Sequence, residues 1–550
     1  MRSRPDYPLP LDARGGAGVA LSGPAKAVFC ALVGPLTLLV FGSAAAQDKF
    51  PSRRYEPVIV YGGSLSVLQG VPVGEVGGYA YDASSGRWRA IPLQVDEVAP
   101  GEGAFFSPDD GLLDGDPEHP DEVVFMLRDA GDQAPRESWP AGADPDCGRI
   151  EVELQDPAGG RGFVYLFRIP GGFVSPTPYS LRYDSLADEV STRFYRVSFG
   201  NSAVIKDLAI LPEGGGNGHD LVDTQKIRLK MRILYTAYEI NESNDIQVRT
   251  VEVRVGPVRI LRRTTCSIQA LQMTFTSTSR LYPFALEMGT GRRDFPASLN
   301  ISLIRQSLDL NWNAQGMRFF NARNTGIVID GTPDNPVRTL DVPGLNWVLL
   351  TGPQGSIVSI LDVPKLGDRQ SLYYHDNASG GTDDGTKDTG DGKSYGDIGV
   401  KLENKISGEY DFSSTRLYLL PANQTPAVAE TLLQNLLYPI ERLVRSQQIS
   451  RVNQPGSTAP RDYQVVTAHP NPFVEATEIA LSAPLERARY VQIWDLSARC
   501  VRRITLPPGA ARFTWDGKDD SGRTLPSGLY ILRVYGPEGP IGNLKLLRVR

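Results

Sequence analysis

The sequence predicts an all-β protein: a large antiparallel β-sandwich body followed by an Ig-like β-sandwich domain at the C-terminus. Three observations lead there. Apolar residues recur at a spacing of two along many short segments, the period that turns one side of a strand toward a core. Turn formers punctuate those segments, with 56 glycines and 42 prolines among 550 residues. Strand patterns do not alternate with helix-length apolar patterns, so a parallel βαβ architecture is not indicated. A chain this long also exceeds one core and divides into domains.

The N-terminal stretch reads as an address. Residues 27–41 (AVFCALVGPLTLLVF) are mostly apolar, Lys26 precedes them, and Ala44-Ala45-Ala46 follows as a small-residue cleavage site. This is the layout of a secretory signal peptide over residues 1–46. The run falls short of the ~20 residues a membrane span needs, so no transmembrane segment is expected after cleavage. The formal net charge of −6 gives no general attraction to nucleic acid or to an anionic membrane. Beyond the leader the cysteines are Cys147, Cys266 and Cys500, too few for a disulfide framework. A Cys147–Cys266 bridge and three separate thiols are both compatible with the sequence. His119, His219, His375 and His469 are scattered and show no zinc spacing.

The first domain is expected over residues 47–179. Its strands read as 57–61, 77–81, 90–95, 123–127, 149–154 and 162–169, and a Pro/Gly break at 170–178 ends it. A large sandwich is expected over 180–445. In the segment 226–235, Ile227, Leu229, Met231 and Ile233 share one face while Arg228, Lys230 and Arg232 share the other, a buried face and a wet one. In 246–255 the apolar parity shifts between Val248 and Val251, which calls for a bulge. Further strands read as 299–303, 347–351, 356–361, 398–402 and 416–420. A helix over 427–437 follows Thr425 as N-cap and Pro426 at the first helical position. Pro439 ends or kinks it, and 440–445 continue it. Residues 446–463 are polar, with Pro, Gly and Ser, and read as a linker. The last domain is 464–550, with about seven short strands separated by turns such as Asp516-Gly517 and Pro526-Ser527-Gly528.

This last segment resembles the C-terminal sorting domain of proteins exported by the type IX secretion system, and the related Ig-like domain of flagellar hook-capping proteins. The matching residues are Pro470, Asn471, Pro472 and Phe473, then Trp494-Asp495-Leu496. Trp515, Asp516 and Gly517 follow, then Gly522, then Ser527, Gly528 and Tyr530, with Lys545 near the end. One departure is Ala498-Arg499 where the family has Gly-Arg, since alanine takes a left-handed turn less readily than glycine. The resemblance implies export to the medium or the outer cell surface, with the secretion machinery as a partner. The alternative is a purely structural Ig-like end domain.

The body offers three candidate sites. Asp376, Asp383, Asp384, Asp388, Asp391 and Asp397 lie in a Gly-rich stretch with the oxygen ligands that calcium takes, although their spacing does not fit the twelve-residue calcium loop. A second acidic stretch holds Asp109, Asp110, Asp114, Asp116, Asp121 and Glu122, with Asp129 and Asp132 beyond. Solvated acidic loops are the alternative for both. Arg228, Lys230, Arg232, Arg249, Arg254, Arg259, Arg262 and Arg263 would form a positive strip for an anionic polysaccharide, or the ordinary wet face of a sheet. Trp312, Phe319, Phe320, Trp347, Tyr373 and Tyr374 would stack on sugars if exposed, or fill a core if not. No nucleophile elbow, phosphate loop, dinucleotide fingerprint or metalloprotease helix motif is present. The expected role is a secreted or cell-surface protein with a binding, carbohydrate-directed sandwich. The alternative is a polysaccharide-acting hydrolase or lyase, which requires His375, Tyr374, Asp376 and the basic strip to converge on a cleft.

Overall fold

The computed structural model describes residues 48–98, 105, 110–115, 120–290, 292–411, 416–447, 466–481, 489–494, 500–536 and 539–549. The expected leader 1–46 lies outside the described residues. So does nearly all of the expected linker, of which Ser446 and Gln447 belong to a strand. The chain forms two compact units, residues 1–449 and 450–550.

The first unit begins with two antiparallel sheets. Pro57–Tyr61, Glu122–Met126 and Gln94–Asp96 make one. The other has the order Glu441–Gln447, Arg149–Gln155, Arg161–Arg168, Val76–Asp82, Arg87–Ala90. Val58, Val123, Val152 and Leu166 are among the side chains in their shared core. The single strand expected over 90–95 is two strands in different sheets. Pro92 stands between them and has no N–H to give a ladder.

Residues 440–445 do not extend the helix. Helix Pro426–Leu437 stops before Pro439, and Glu441–Gln447 pairs with Arg149–Gln155 along its full length. Val444 packs on the N-terminal core, and Arg445 reaches Glu151 at 3.3 Å and Glu153 at 2.5 Å. Tertiary pairing overrides the local helical pattern there. The expected 180–445 segment thus lends its last strand to the sheet of residues 76–168. The helix buries Ala429 and Leu432 against Trp347, Val358 and Tyr418 of the large sheet, and the Thr425 side chain makes no capping hydrogen bond.

Between these parts lies a small four-stranded sheet of Asp207–Ile210, Tyr195–Ser198, Glu189–Ser191 and Arg182–Asp184. The main sandwich follows. Its five-stranded sheet has the order Thr236–Asn241, Val222–Ile233, Ile301–Leu310, Ser394–Ile406, Arg369–Asn377. Its nine-stranded sheet runs Ile246–Val255, Ile260–Ile268, Met273–Leu281, Ala285–Thr290, Arg416–Leu420, Gly355–Val363, Gly344–Gly352, Arg318–Asn321, Thr325–Val328. The bulge expected in the Ile246–Val255 strand is present as a register shift between Val248 and Thr250. Leu310, Leu372, Leu350 and Ile357 join the two sheets in one core with the small sheet's Val190 and Leu208.

The second unit is an Ig-like sandwich. Val466–His469, Thr477–Leu481 and Arg512–Trp515 form one sheet; Cys500–Leu506, Arg489–Trp494, Gly528–Gly536 and Gly539–Arg548 form the other. The protein is all-β, a large antiparallel sandwich body with an Ig-like C-terminal domain. Among the described residues no disulfide joins Cys147, Cys266 and Cys500, and no helix is long and apolar enough to cross a membrane.

Candidate functional site

Alternation along the five-stranded sheet sends Gln225, Ile227 and Leu229 to one face and Thr224, Lys226 and Arg228 to the other. The expected wet face is covered in part: Arg228 is buried, Lys230 half-buried and Arg232 exposed. Lys226, Arg228, Arg305 and Asp309 are each 0% exposed, and Asp397 is 1% exposed. The reason is a roof. Residues 378–393, between the strands Arg369–Asn377 and Ser394–Ile406, lie over this face and give its cations their partners. Lys226 Nζ is 2.6 Å from Asp388 and 2.6 Å from Asp309. Arg228 donates to the Lys387 carbonyl at 3.2 Å and the Thr389 hydroxyl at 2.7 Å, and pairs with Glu242. Lys230 donates to the carbonyls of Asp384 and Gly385, both at 3.1 Å. Arg305 lies 3.3 Å from Asp384 and 3.5 Å from Asp397, with its guanidinium 4.0 Å from the centre of the Tyr373 ring.

The electrostatics follow from burial. Burial and the neighbouring Asp397 push the Asp309 carboxyl well above its ordinary value, against the pull of Lys226. Burial opposes the charge on Lys226, but Asp397 and Asp309 outweigh it and its pKa rises. Burial and then Asp397 raise the Tyr373 phenol. Close strand approach is built in at Gly399, where a Cβ would sit 1.9 Å from the Gln306 carbonyl oxygen.

The loop carboxylates proposed for calcium are thus spread among separate partners. Asp383 pairs with Arg338 at 2.9 Å, Asp384 with Arg305, and Asp388 with Lys226. Asp376 accepts the backbone N–H groups of Asp330 and Gly331, both at 2.9 Å, and burial pushes its pKa up to about 6. Asp391 accepts from the Lys393 N–H at 2.8 Å. Among the described residues no group of three or more His, Cys, Asp or Glu side chains is placed to hold a metal ion.

The second acidic set meets the basic set at Glu122. Arg259 bridges Asp96 at 2.8 Å and Glu122 at 2.6 Å. Arg262 pairs with Asp188, Arg263 with Glu252, and Arg254 with Asp96; Arg249 donates to the Ser267 hydroxyl at 2.8 Å. The eight basic residues therefore do not form one open strip, although Arg232 is exposed. Asp121 accepts the N–H groups of Val98 and Asp114, and burial raises its pKa to about 6. Asp129 accepts from the Tyr179 hydroxyl at 2.6 Å, and Asp132 pairs with Lys49 at 2.5 Å. Asp109, Asp116 and His119 lie outside the described residues.

Most of the aromatic set is core. Phe319, Trp347, Tyr373 and Tyr374 are buried, Phe320 is half-buried, and Trp312 is 66% exposed. Tyr374 packs on Phe319 at 5.1 Å, inside the sandwich. His375 follows it on the opposite face of the same strand, and both Asp376 oxygens are engaged by backbone. Tyr374 and Asp376 thus share one side of the strand and the neighbours Asp330 and Asp334, and His375 does not join them.

Sequence reasoning did not foresee a cleft of about 100 Å³ between the two sheets, lined by Leu286, Met288, Ile304, Val400 and Leu417 with Gln225 and Gln306. Its one sequence signal is glutamine at inward-facing strand positions.

In the Ig-like unit the motif residues come together. Phe473, Trp515 and Tyr530 are buried in one cluster, with ring centres 5.4 and 5.2 Å apart. Trp515 Nε1 donates to the Lys518 carbonyl at 3.1 Å, and the Tyr530 hydroxyl to the Pro526 carbonyl at 2.7 Å. Asn471 clamps the last strand, donating to the Lys545 carbonyl and accepting from the Leu547 N–H, both at 2.8 Å. The Pro470 carbonyl accepts from the Thr477 hydroxyl at 2.6 Å. Gly517 and Gly522 take left-handed turns at φ 66° and 76°. Asp516 accepts from the Lys518 N–H, while Ser527 leads into the strand that starts at Gly528. Pro472 and Lys545 are exposed at the surface. Asp495, Leu496, Ala498 and Arg499 lie outside the described residues.

Fold and motif geometry define an all-β protein that ends in an Ig-like module. Residues 475–539 match the family model of the FlgD Ig-like domain. No curated protein matches the chain. The solved structure of PorZ, described as an essential bacterial surface component of the type-IX secretion system of Porphyromonas gingivalis, is similar over 78% of this chain and 67% of that one. The identity is 13% and the TM-score 0.14, and a likeness that slight carries no argument.

Proposed function

We propose that this is a secreted or outer-surface binding protein, exported by its leader and sorted by its C-terminal module through the type IX machinery. The observation that supports sorting is the grouping of Asn471, Phe473, Trp515 and Tyr530 into one clamp and one core, within the unit that carries the FlgD-type match. The test is to compare, in the native cell, the full chain with a chain ending at Ile449. The full chain is expected in the medium or on the surface, and the shortened one behind the outer membrane. Equal distribution of the two would refute the sorting role.

For the body, a carbohydrate-binding sandwich is the reading we put first, resting on Trp312 as an exposed stacking face. A glycan array of the full chain and of Trp312→Ala tests it, and silence from the unaltered chain rejects it. The hydrolase or lyase reading is weakened because His375 lies on the opposite face of its strand from Tyr374 and Asp376, and both Asp376 oxygens accept backbone N–H groups. A reducing-end release assay tests that reading.

A further inference from the structure

A lysine is rarely buried outright, because its charge gives up its water. Among the described lysines only Lys226 has no exposed surface, and it shares its enclosure with Asp309, 0% exposed, and Asp397, 1% exposed. Lys226 lies on strand Val222–Ile233 and Asp309 on its antiparallel neighbour Ile301–Leu310. Lys226 stands opposite Ser307, and Asp309 opposite Thr224, so the two side chains are diagonal neighbours on one face of the sheet. Asp397 comes from the next strand, two residues before the glycine that pairs with Ser307, and therefore rises on the same face.

The carboxylates around the amine are held differently. Asp388 Oδ1 accepts a hydrogen bond from Lys226 Nζ at 2.6 Å. Asp309 Oδ2 is as close, at 2.6 Å, yet among the described residues neither Asp309 oxygen has a hydrogen-bond partner. The contact is close but off the hydrogen-bond direction. Asp397 has an oxygen 4.0 Å from the same nitrogen. Burial and Asp397 raise the Asp309 carboxyl well above its ordinary value, which favours the protonated acid. An amine, a carboxylic acid and a carboxylate able to take a proton thus meet in an enclosed site.

We infer that Lys226 and Asp309 condense into an intramolecular amide, a covalent cross-link between strands Val222–Ile233 and Ile301–Leu310. Asp397 takes one proton from the Lys226 ammonium, and the freed amine attacks Cγ of protonated Asp309. A C–N bond forms and the bond from Cγ to the hydroxyl breaks. A second proton from the nitrogen joins that hydroxyl, which leaves as water, and the third stays as the amide N–H. Nothing is oxidised or reduced, and no co-reactant is needed. Burial favours the product, since an amide and a carboxylic acid replace two enclosed charges. Asp388 Oδ1, which already accepts from Nζ, is placed to accept from the amide N–H. Before this step the site holds the ion pairs described above. The inference goes beyond the binding and export reading and does not depend on it.

Intact-mass spectrometry of the purified full chain tests this. The chain is expected to weigh less than its sequence, counted from its measured N-terminus, by one water. Digestion is expected to release one branched peptide that carries both Lys226 and Asp309. Lys226→Met and Asp309→Leu are each expected to show the full sequence mass. Asp397→Asn is expected to show it too, although both reacting groups remain, an outcome that a packing role for Asp397 does not give. Full mass with two separate peptides from the unaltered chain would overturn the inference. So would a water loss that persists in Lys226→Met, or linkage in Asp397→Asn equal to that of the unaltered chain.

Discussion

Replacing Lys226 by methionine isolates the electrostatics of the roofed face. The ammonium has no exposed surface and lies 2.6 Å from Asp309, 2.6 Å from Asp388 and 4.0 Å from Asp397. Its loss removes the cation beside the buried Asp309 and leaves Asp397 with Arg305. Removing one partner of a buried ion pair costs about 3–5 kcal/mol, a large share of the ~5–15 kcal/mol that holds a typical domain. The assay is urea unfolding of the full chain followed by tryptophan fluorescence. The deficit should depend on pH. The folded Asp309 carboxyl has a raised pKa, so between its unfolded value of ~3.9 and its folded value the fold holds more protons and gains stability as pH falls. Losing Lys226, which pulls that pKa down, raises it further, so Lys226→Met is expected to lose most stability relative to the parent on the alkaline side and least on the acid side. Adding Asp309→Leu should restore much of the loss, since an apolar replacement of the whole pair is close to neutral. A single variant within about 0.5 kcal/mol of the parent, or a deficit that grows on acidification, would refute this account.

Other outcomes are open to measurement. Gly399→Ala should destabilise the body by about 1–3 kcal/mol or more, because its Cβ meets the Gln306 carbonyl at 1.9 Å; circular-dichroism melts check it. Trp515→Ala should remove about 3–5 kcal/mol from the Ig-like unit and leave the body's calorimetric transition in place. Chelation with EDTA should leave the thermal midpoint unchanged, because calcium must displace Lys226, Arg305 and Arg338 from the loop carboxylates; a calcium-dependent rise would contradict these pairings. Carboxyl resonances of Asp121 and Asp376 should titrate near pH 6, and midpoints near ~4 would mean they are solvated.

Periodicity made much of the fold legible. Arg416–Leu420 and Pro57–Tyr61 fall where alternation and turn residues place them, and the bulge after Val248 shows in the sequence as a parity shift. The faces were less legible. Arg228 and Lys230 look like a solvated row because alternation reports which residues share a side, not what covers it. The cover is supplied by residues more than 150 positions away, whose own acidic and glycine composition reads as an exposed loop. Each half of this layer resembles a site when read alone, and in the fold they neutralise each other. The short strands of residues 182–210 escaped notice because three or four residues carry too little period. In the Ig-like unit, by contrast, tryptophan, tyrosine and glycine at fixed intervals describe both the core and its turns.

Strand Glu441–Gln447, which completes the sheet begun by Arg149–Gln155, sets a clock on synthesis. Gln155 and Glu441 are partners 286 residues apart. At ~5–20 residues per second the earlier strand emerges on the order of 15–60 s before the later one exists. The Ig-like unit repeats the delay at its own scale, since the Val549 N–H donates to the Phe473 carbonyl at 2.8 Å almost at the end of the chain. Neither unit can complete its sheets until its last strand has been made.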